Sequence, residues 1–203
     1  MARRPTLTPA EEHANLVGEF QRIKDRHSEA VRKRAVRVVL GPSVIRVFEK
    51  KSTDDIRPVL EAVPIDELLE IKKESEFRDW FNKHLEKVKE AVSVKNSSNP
   101  RIGEGYILGH CTKVLTLYLR EIVLNSRYFD DAETKRIQYL LYAPIDSINI
   151  DRLEDLGCSL PFNAIKEIDT KEKFYHVQDA LGRAAAQVGI PRIWFDDNWG
   201  DRQ

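Results

Sequence analysis

Residues 105–119 read G-Y-I-L-G-H-C-T-K-V-L-T-L-Y-L, and residues 143–157 read A-P-I-D-S-I-N-I-D-R-L-E-D-L-G. In the first run Val114, Leu115, Leu117, Leu119, Ile122 and Val123 cover more than one face at helical spacing, which predicts a largely buried helix over about Cys111–Asn125. Gly105 and Gly109 precede that helix, and Lys113 falls in its expected first turn. There a cation meets the positive end of the helix dipole and an apolar surround, and both effects favour the neutral amine. In the second run Asp146 follows Pro144 at the start of another helix, where Asp146 or Ser147 is the cap. Ile150, Leu153 and Leu156 are expected to face inward, and Gly157 stops the helix. Each residue also has an ordinary reading: Lys113 as a snorkelling surface side chain, Asp146 as a plain N-cap.

The segments around this pair are also helical. Asp130 or Asp131 caps a helix expected over Ala132–Tyr142, with Pro144 ending it. Asp169-Thr-Lys-Glu172 opens a long helix carrying Phe174, Val177 and Leu181, closed at Gly189. Pro191 then opens a short helix holding Trp194, Phe195 and Trp199. On the N-terminal side, Thr8-Pro-Ala-Glu11 forms a capping box. Leu16, Val17, Phe20, Ile23, Val31, Ala35 and Val38 follow at helical spacing until Gly41-Pro42, with a kink or a break expected at His27-Ser28. Ser43–Lys50 suits a short helix or a strand. Ser52 or Thr53 caps a helix through Val63, and Pro64 opens a short one. Ser75 caps an amphipathic helix whose Phe77, Trp80, Phe81, Leu85, Val88 and Val92 share a core-facing stripe. Ser93–Arg101 reads as a loop. The fold expected is mainly α, with residues 1–92 as an N-terminal helical lobe and 102–203 as a second lobe, either one compact unit or two around a cleft.

Composition narrows the classes. The chain has 203 residues, 41% of them hydrophobic and 33% charged, a globular balance. No apolar run reaches membrane-spanning length and no apolar signal core opens the chain, so a cytoplasmic protein with no membrane partner is expected. Cys111 and Cys158 are too few for a four-cysteine iron–sulfur cluster, and neither stands in a ligand pair, so no metal and no cofactor are expected. Net charge is zero, yet residues 1–51 carry twelve Lys/Arg against six acids and residues 91–129 five against two. Arg32, Lys33, Arg34 and Arg37 lie within two turns and suit either a solvated face or phosphate contact.

A lysine amine near a carboxylate is equipped for one kind of chemistry. The neutral amine forms Schiff bases with aldehyde-like carbons, and the carboxylate stabilises positive charge on a sugar that loses its substituent. A glycine-bearing hairpin at a helix start presents N–H groups to a phosphate. These parts together suit cleavage of an N-glycosidic bond in DNA, with the base turned out of the stack into a pocket.

Gly109-His-Cys-Thr-Lys113-Val-Leu resembles the hairpin and catalytic lysine of the helix-hairpin-helix DNA glycosylases. Pro144-Ile-Asp146-Ser followed by Arg152-Leu-Glu-Asp-Leu-Gly157 is similar to their catalytic-aspartate segment. The interval from Lys113 to Asp146 is similar to that of the archaeal 8-oxoguanine DNA glycosylase branch, which lacks the iron–sulfur cluster. Gly189-Ile-Pro-Arg-Ile-Trp194 resembles that branch's C-terminal segment, so the resemblance covers about residues 103–199. It departs at Leu108-Gly109-His110-Cys111, where the usual second glycine is missing. The resemblance implies Lys113 as nucleophile and Asp146 as the acid that supports the sugar cation. It places Gly109, His110 and Thr112 at the DNA phosphate, and Leu117 and Trp194 at the flipped base. Arg32 and Arg34 would add DNA contacts. The implied activity is that of a monomeric DNA N-glycosylase, with or without AP-lyase activity. It would remove oxidised guanine or a hypermodified, phage-type base in a defence role. The alternatives are a non-catalytic helical DNA-binding module and a protein-interaction adaptor.

Overall fold

The computed structural model describes residues 8–45, 47–48, 52–92 and 104–201. Those residues form α1 (Pro9–Val39), α2 (Pro42–Ile45), α3 (Ser52–Glu61), α4 (Glu74–Val92), α5 (Glu104–Asn125), α6 (Asp131–Ile137), α7 (Ser147–Asp155) and α8 (Lys171–Val188). Short 3-10 segments lie at Ile65–Leu69, Ile165–Glu167 and Arg192–Asp201. No strand occurs among the described residues. The expected loop Ser93–Arg101 lies outside them.

Helix α5 is the axis of the molecule. It packs on the C-terminal part of α1, on α4, on α6 and on the Ile165–Glu167 turn. Leu108, Cys111, Val114, Leu115, Tyr118, Leu119, Ile122 and Val123 are all buried, as apolar residues on more than one face require. The stripe expected on α4 is buried from Phe77 to Val92. Its Phe77 and Phe81 rings meet Tyr142, each at a centroid distance of 5.0 Å. Phe174 from α8 closes the cluster, 5.8 Å from Phe81.

Local chemistry sets most helix ends. Thr8 accepts from the Glu11 backbone N–H while the Glu11 carboxylate accepts from the Thr8 N–H, a complete capping box. Asp130 and Glu133 form a second. Thr170 caps α8, and Gly189 ends it with φ +72°, the left-handed conformation that glycine adopts without penalty.

Several expectations are corrected. Helix α5 begins at Glu104, so Lys113 lies in its third turn, away from the helix-start dipole, and no hairpin separates Gly109 from Lys113. Helix α6 stops at Ile137 rather than Tyr142. After a turn at residues 138–140, residues 141–146 are buried and not helical, and the Gln178 amide binds both the N–H and the C=O of Ala143 there, at 2.9 and 2.8 Å. Helix α1 runs unbroken through His27-Ser28, and its Leu16, Val17, Phe20 and Ile23 stand in solvent. Leu156 also faces outward, because α7 has ended one residue before it.

Candidate active site

Three turns of α5 supply one wall of a cavity of about 570 Å³, within the range of small-molecule pockets. Lys113, Leu117, Arg120, Glu121 and Asn125 line it. Their i, i+4, i+7, i+8, i+12 spacing is a single helical face. Val38, Val39 and Val44 face them, and Pro144, Asp146, Ser147, Ile148 and Asp196 complete the lining.

Lys113 Nζ lies 3.2 Å from Asp146 Oδ2, and their side chains are 20% and 9% exposed. The pair is therefore largely withdrawn from solvent but opens on the cavity. Asp146 is also the N-cap of α7, where its Oδ1 accepts from the Asn149 backbone N–H at 3.0 Å. The chemical and the capping reading of Asp146 are both realised, one on each oxygen.

The polar chain continues from there. Asn149 donates its side-chain N–H groups to the Pro144 carbonyl at 2.7 Å and to Asp196 Oδ1 at 3.2 Å. Asp196 Oδ2 in turn meets Arg120 Nη1 at 3.0 Å. Asp146, Lys113, Asp196 and Arg120 thus form two ion pairs at one cavity, linked through a single asparagine.

Buried groups position the Pro144–Asp146 segment. Arg192 donates Nε to the Leu141 carbonyl at 3.0 Å and Nη2 to the Leu140 carbonyl at 3.1 Å. Its Nη1 meets Glu74 at 2.7 Å, and the guanidinium lies 4.4 Å from the Tyr142 ring centroid. With Gln178 on Ala143, every step from Leu140 to Ala143 that points Asp146 at α5 is held by a side chain or a buried ring.

The other expected site residues divide. Leu117 lines the cavity beside Lys113, and Arg34 is exposed on α1. Gly109 is buried. A Cβ on it would lie 2.1 Å from the Ile165 carbonyl oxygen, so the glycine serves close packing of α5 on that turn. Thr112 is buried and donates its hydroxyl to the Gly109 carbonyl, the bond open to a side chain inside a helix. His110 is buried, with its ring edge-on to Phe48 at 6.1 Å. Arg32 is held by Tyr128 at 2.7 Å and by Asp66 at 3.3 Å. Trp194 lies outside the cavity, donating its indole N–H to Gln138 at 3.2 Å, because the 3-10 turn after Pro191 directs it away while Asp196 turns in. Sequence reasoning missed Arg120, Asn149 and Asp196. The first was signalled by its i+7 spacing from Lys113; Asp196 had no signal of any kind.

Among the described residues, no group of three or more His, Cys, Asp or Glu is placed to hold a metal ion. No described helix is long and apolar enough to cross a membrane. Burial pushes the Cys111 thiol well above the usual range, so it is no nucleophile. Compared with protein-family models, curated proteins and solved structures, the chain matches none of them.

Proposed function

We propose that the chain is a DNA N-glycosylase of the helical, lysine-dependent kind, which everts a damaged or modified base and excises it. The observation that carries this reading is the 3.2 Å approach of Lys113 Nζ to Asp146 Oδ2 at the edge of an open cavity. The resemblance of both segments to helix-hairpin-helix glycosylases points to the same pair. The departure at Leu108–Cys111 agrees with a continuous α5 and moves DNA contact away from Gly109, His110 and Thr112.

In this reading Lys113 passes a proton to Asp146 and attacks C1′ of the everted nucleotide. The C1′–N bond breaks, and the base leaves with the electron pair and takes the proton from Asp146. The carboxylate, ionised again, stabilises the positive charge on the sugar. Ring opening gives the Schiff base, and water hydrolyses it to free Lys113, either directly or after β-elimination has expelled the 3′-phosphate. Leu117 and the three valines offer an apolar slot for the base, and Arg120 with Asp196 offers a donor and an acceptor for its edge. Arg34, exposed on α1 close in sequence to the cavity residue Val38, is suited to the phosphate backbone.

The test is borohydride trapping on duplexes carrying oxidised guanine, hypermodified cytosine or an abasic site. The wild type is expected to yield a covalent adduct that Lys113→Gln abolishes, and base release is expected to fall by about 10²–10⁴-fold in Asp146→Asn. Absence of both adduct and base release across all the duplexes removes the assignment.

A second reading has its own support. Asp146 is a complete N-cap, so the ion pair is sufficient as a strut in a non-catalytic helical DNA-binding module. That reading expects salt-sensitive DNA binding, a modest loss in Lys113→Gln, and no abasic product.

A further inference from the structure

Helix α1 spans 31 residues, about 46 Å at 1.5 Å per residue. Only its C-terminal part packs on the rest of the molecule, through residues such as Val31, Arg32, Ala35, Val36 and Val39. Residues 13–27 are exposed at every position. Yet Leu16 is 61%, Val17 54%, Phe20 68% and Ile23 50% exposed, a concentration of large apolar side chains on one solvent-bathed helix. Gly18 lies in the same stretch with nothing near it, and an interior glycine weakens a helix. A helical segment of this kind draws its stability from covering its apolar face, and nothing within the described chain covers this one.

The spacing of the stripe indicates what does. His13, Leu16, Phe20, Ile23, His27 and Ala30 recur at alternating intervals of three and four, the a/d pattern of a helix that pairs with another helix. All six are exposed. Charge then selects the orientation. Residues 9–20 contain three glutamates and no lysine or arginine, whereas residues 21–34 contain six lysines and arginines against two acids. A parallel pair would set like charge beside like. An antiparallel pair sets the acidic half of each helix against the basic half of its mate.

We propose that the N-terminal half of α1 pairs with the same segment of a second copy of this chain, antiparallel about a two-fold axis near residues 21–22. Phe20 of each copy then packs against Ile23 of the other, and Leu16 against His27. On the flank of the seam Glu19 meets Arg26 of the other copy, giving up its present bond to Arg22 within the helix. Val17 comes to lie beside Lys24. Four large apolar side chains per copy, doubled by symmetry, leave water. The acceptor face is the donor face, as an isologous interface requires. This inference stands apart from the glycosylase reading, because the seam lies on the opposite end of α1 from Val38 and Val39 at the cavity.

The test is sedimentation velocity on the full chain from about 1 to about 200 µM, because dimer population follows protomer concentration. The expected species has twice the 23.5 kDa chain mass. The double variant Phe20→Glu, Ile23→Glu is expected to run as a monomer with the thermal transition of the body retained, since neither residue touches the core. Glu19→Arg alone and Arg26→Glu alone are each expected to weaken the dimer at least tenfold, and the two together to restore it. In a Cys158→Ser background, Val17→Cys mixed with Lys24→Cys is expected to form a disulfide-linked dimer under oxidation. A monomer at every concentration overturns the proposal and assigns the stripe to some other partner. So does a dimer that survives Phe20→Glu, Ile23→Glu, and so does failure of the charge swap to restore association.

Discussion

The side-chain amide of Asn149 donates to Asp196 Oδ1 at 3.2 Å, and this bond joins the carboxylate of the terminal 3-10 segment to the start of α7. The same residue's backbone N–H holds Asp146 Oδ1. Asn149 is therefore the joint between Asp146 and Asp196. Replacing it by Ala removes the donor to the buried Pro144 carbonyl and one donor to Asp196. The expected loss is about 1–3 kcal/mol of stability, read from urea unfolding. Asn149→Asp is expected to be worse, since a third carboxylate would sit against Asp196.

Asp146 allows capping and chemistry to be separated. Asparagine caps a helix as well as aspartate does, so the stability lost in Asp146→Asn is expected to be that of the Lys113 ion pair alone, while under the proposed reading base release collapses. Asp146→Ala removes the cap as well and is expected to cost a further 1 kcal/mol or so. Denaturant titrations run beside the glycosylase assay check both. A variant Asp146→Asn that keeps full activity would leave the carboxylate a strut.

Gly109→Ala examines the seam between α5 and the Ile165–Glu167 turn. The added Cβ would meet a backbone oxygen that no rotamer change can move. Stability is expected to fall by about 2 kcal/mol or more, visible as a lower urea midpoint at constant slope. A neutral result would mean that the turn stands further from α5 than the 2.1 Å clash requires.

His84 supplies a pH dependence remote from the cavity. Burial, then Lys87 and Lys83, lower its pKa from 6.5 to about 4, and its Nε2 has no hydrogen-bond partner. The unfolded chain binds the proton more readily than the folded one. Stability from this group is therefore complete above about pH 6.5 and declines as pH falls toward about 4, below which it is lost. The decline is expected to be on the order of 1–2 kcal/mol, and His84→Phe is expected to flatten that part of the profile in thermal melts.

Local signals in the sequence went far. The Thr8–Glu11 capping box, Gly189, the stripe on α4 and the all-helical class follow from interactions within a few residues of one another, and the structure has them. Lys113 and Asp146 were also legible as candidates, each by its place beside an apolar helix. Errors arose where a distant contact overrode a local one. Gly105 and Gly109 read as a turn because glycine weakens helices, but packing of α5 on α1, α4, α6 and the Ile165–Glu167 turn outweighs that penalty. Tyr142 continued a helical pattern, but Gln178 and Arg192, from much later in the chain, bind the backbone around it, and it is not helical.

Periodicity and capping by themselves determined which segments are helices, because those interactions span one turn. They also marked an apolar stripe on α1 without indicating whether the chain would cover it. Only the tertiary structure decided that Lys113 and Asp146 meet at 3.2 Å, that Arg120 and Asp196 join them, and that Gly109, Thr112 and Trp194 point elsewhere. The physical reason is distance along the chain. A contact between side chains far apart in sequence depends on how all the intervening helices pack, and no local pattern carries that information.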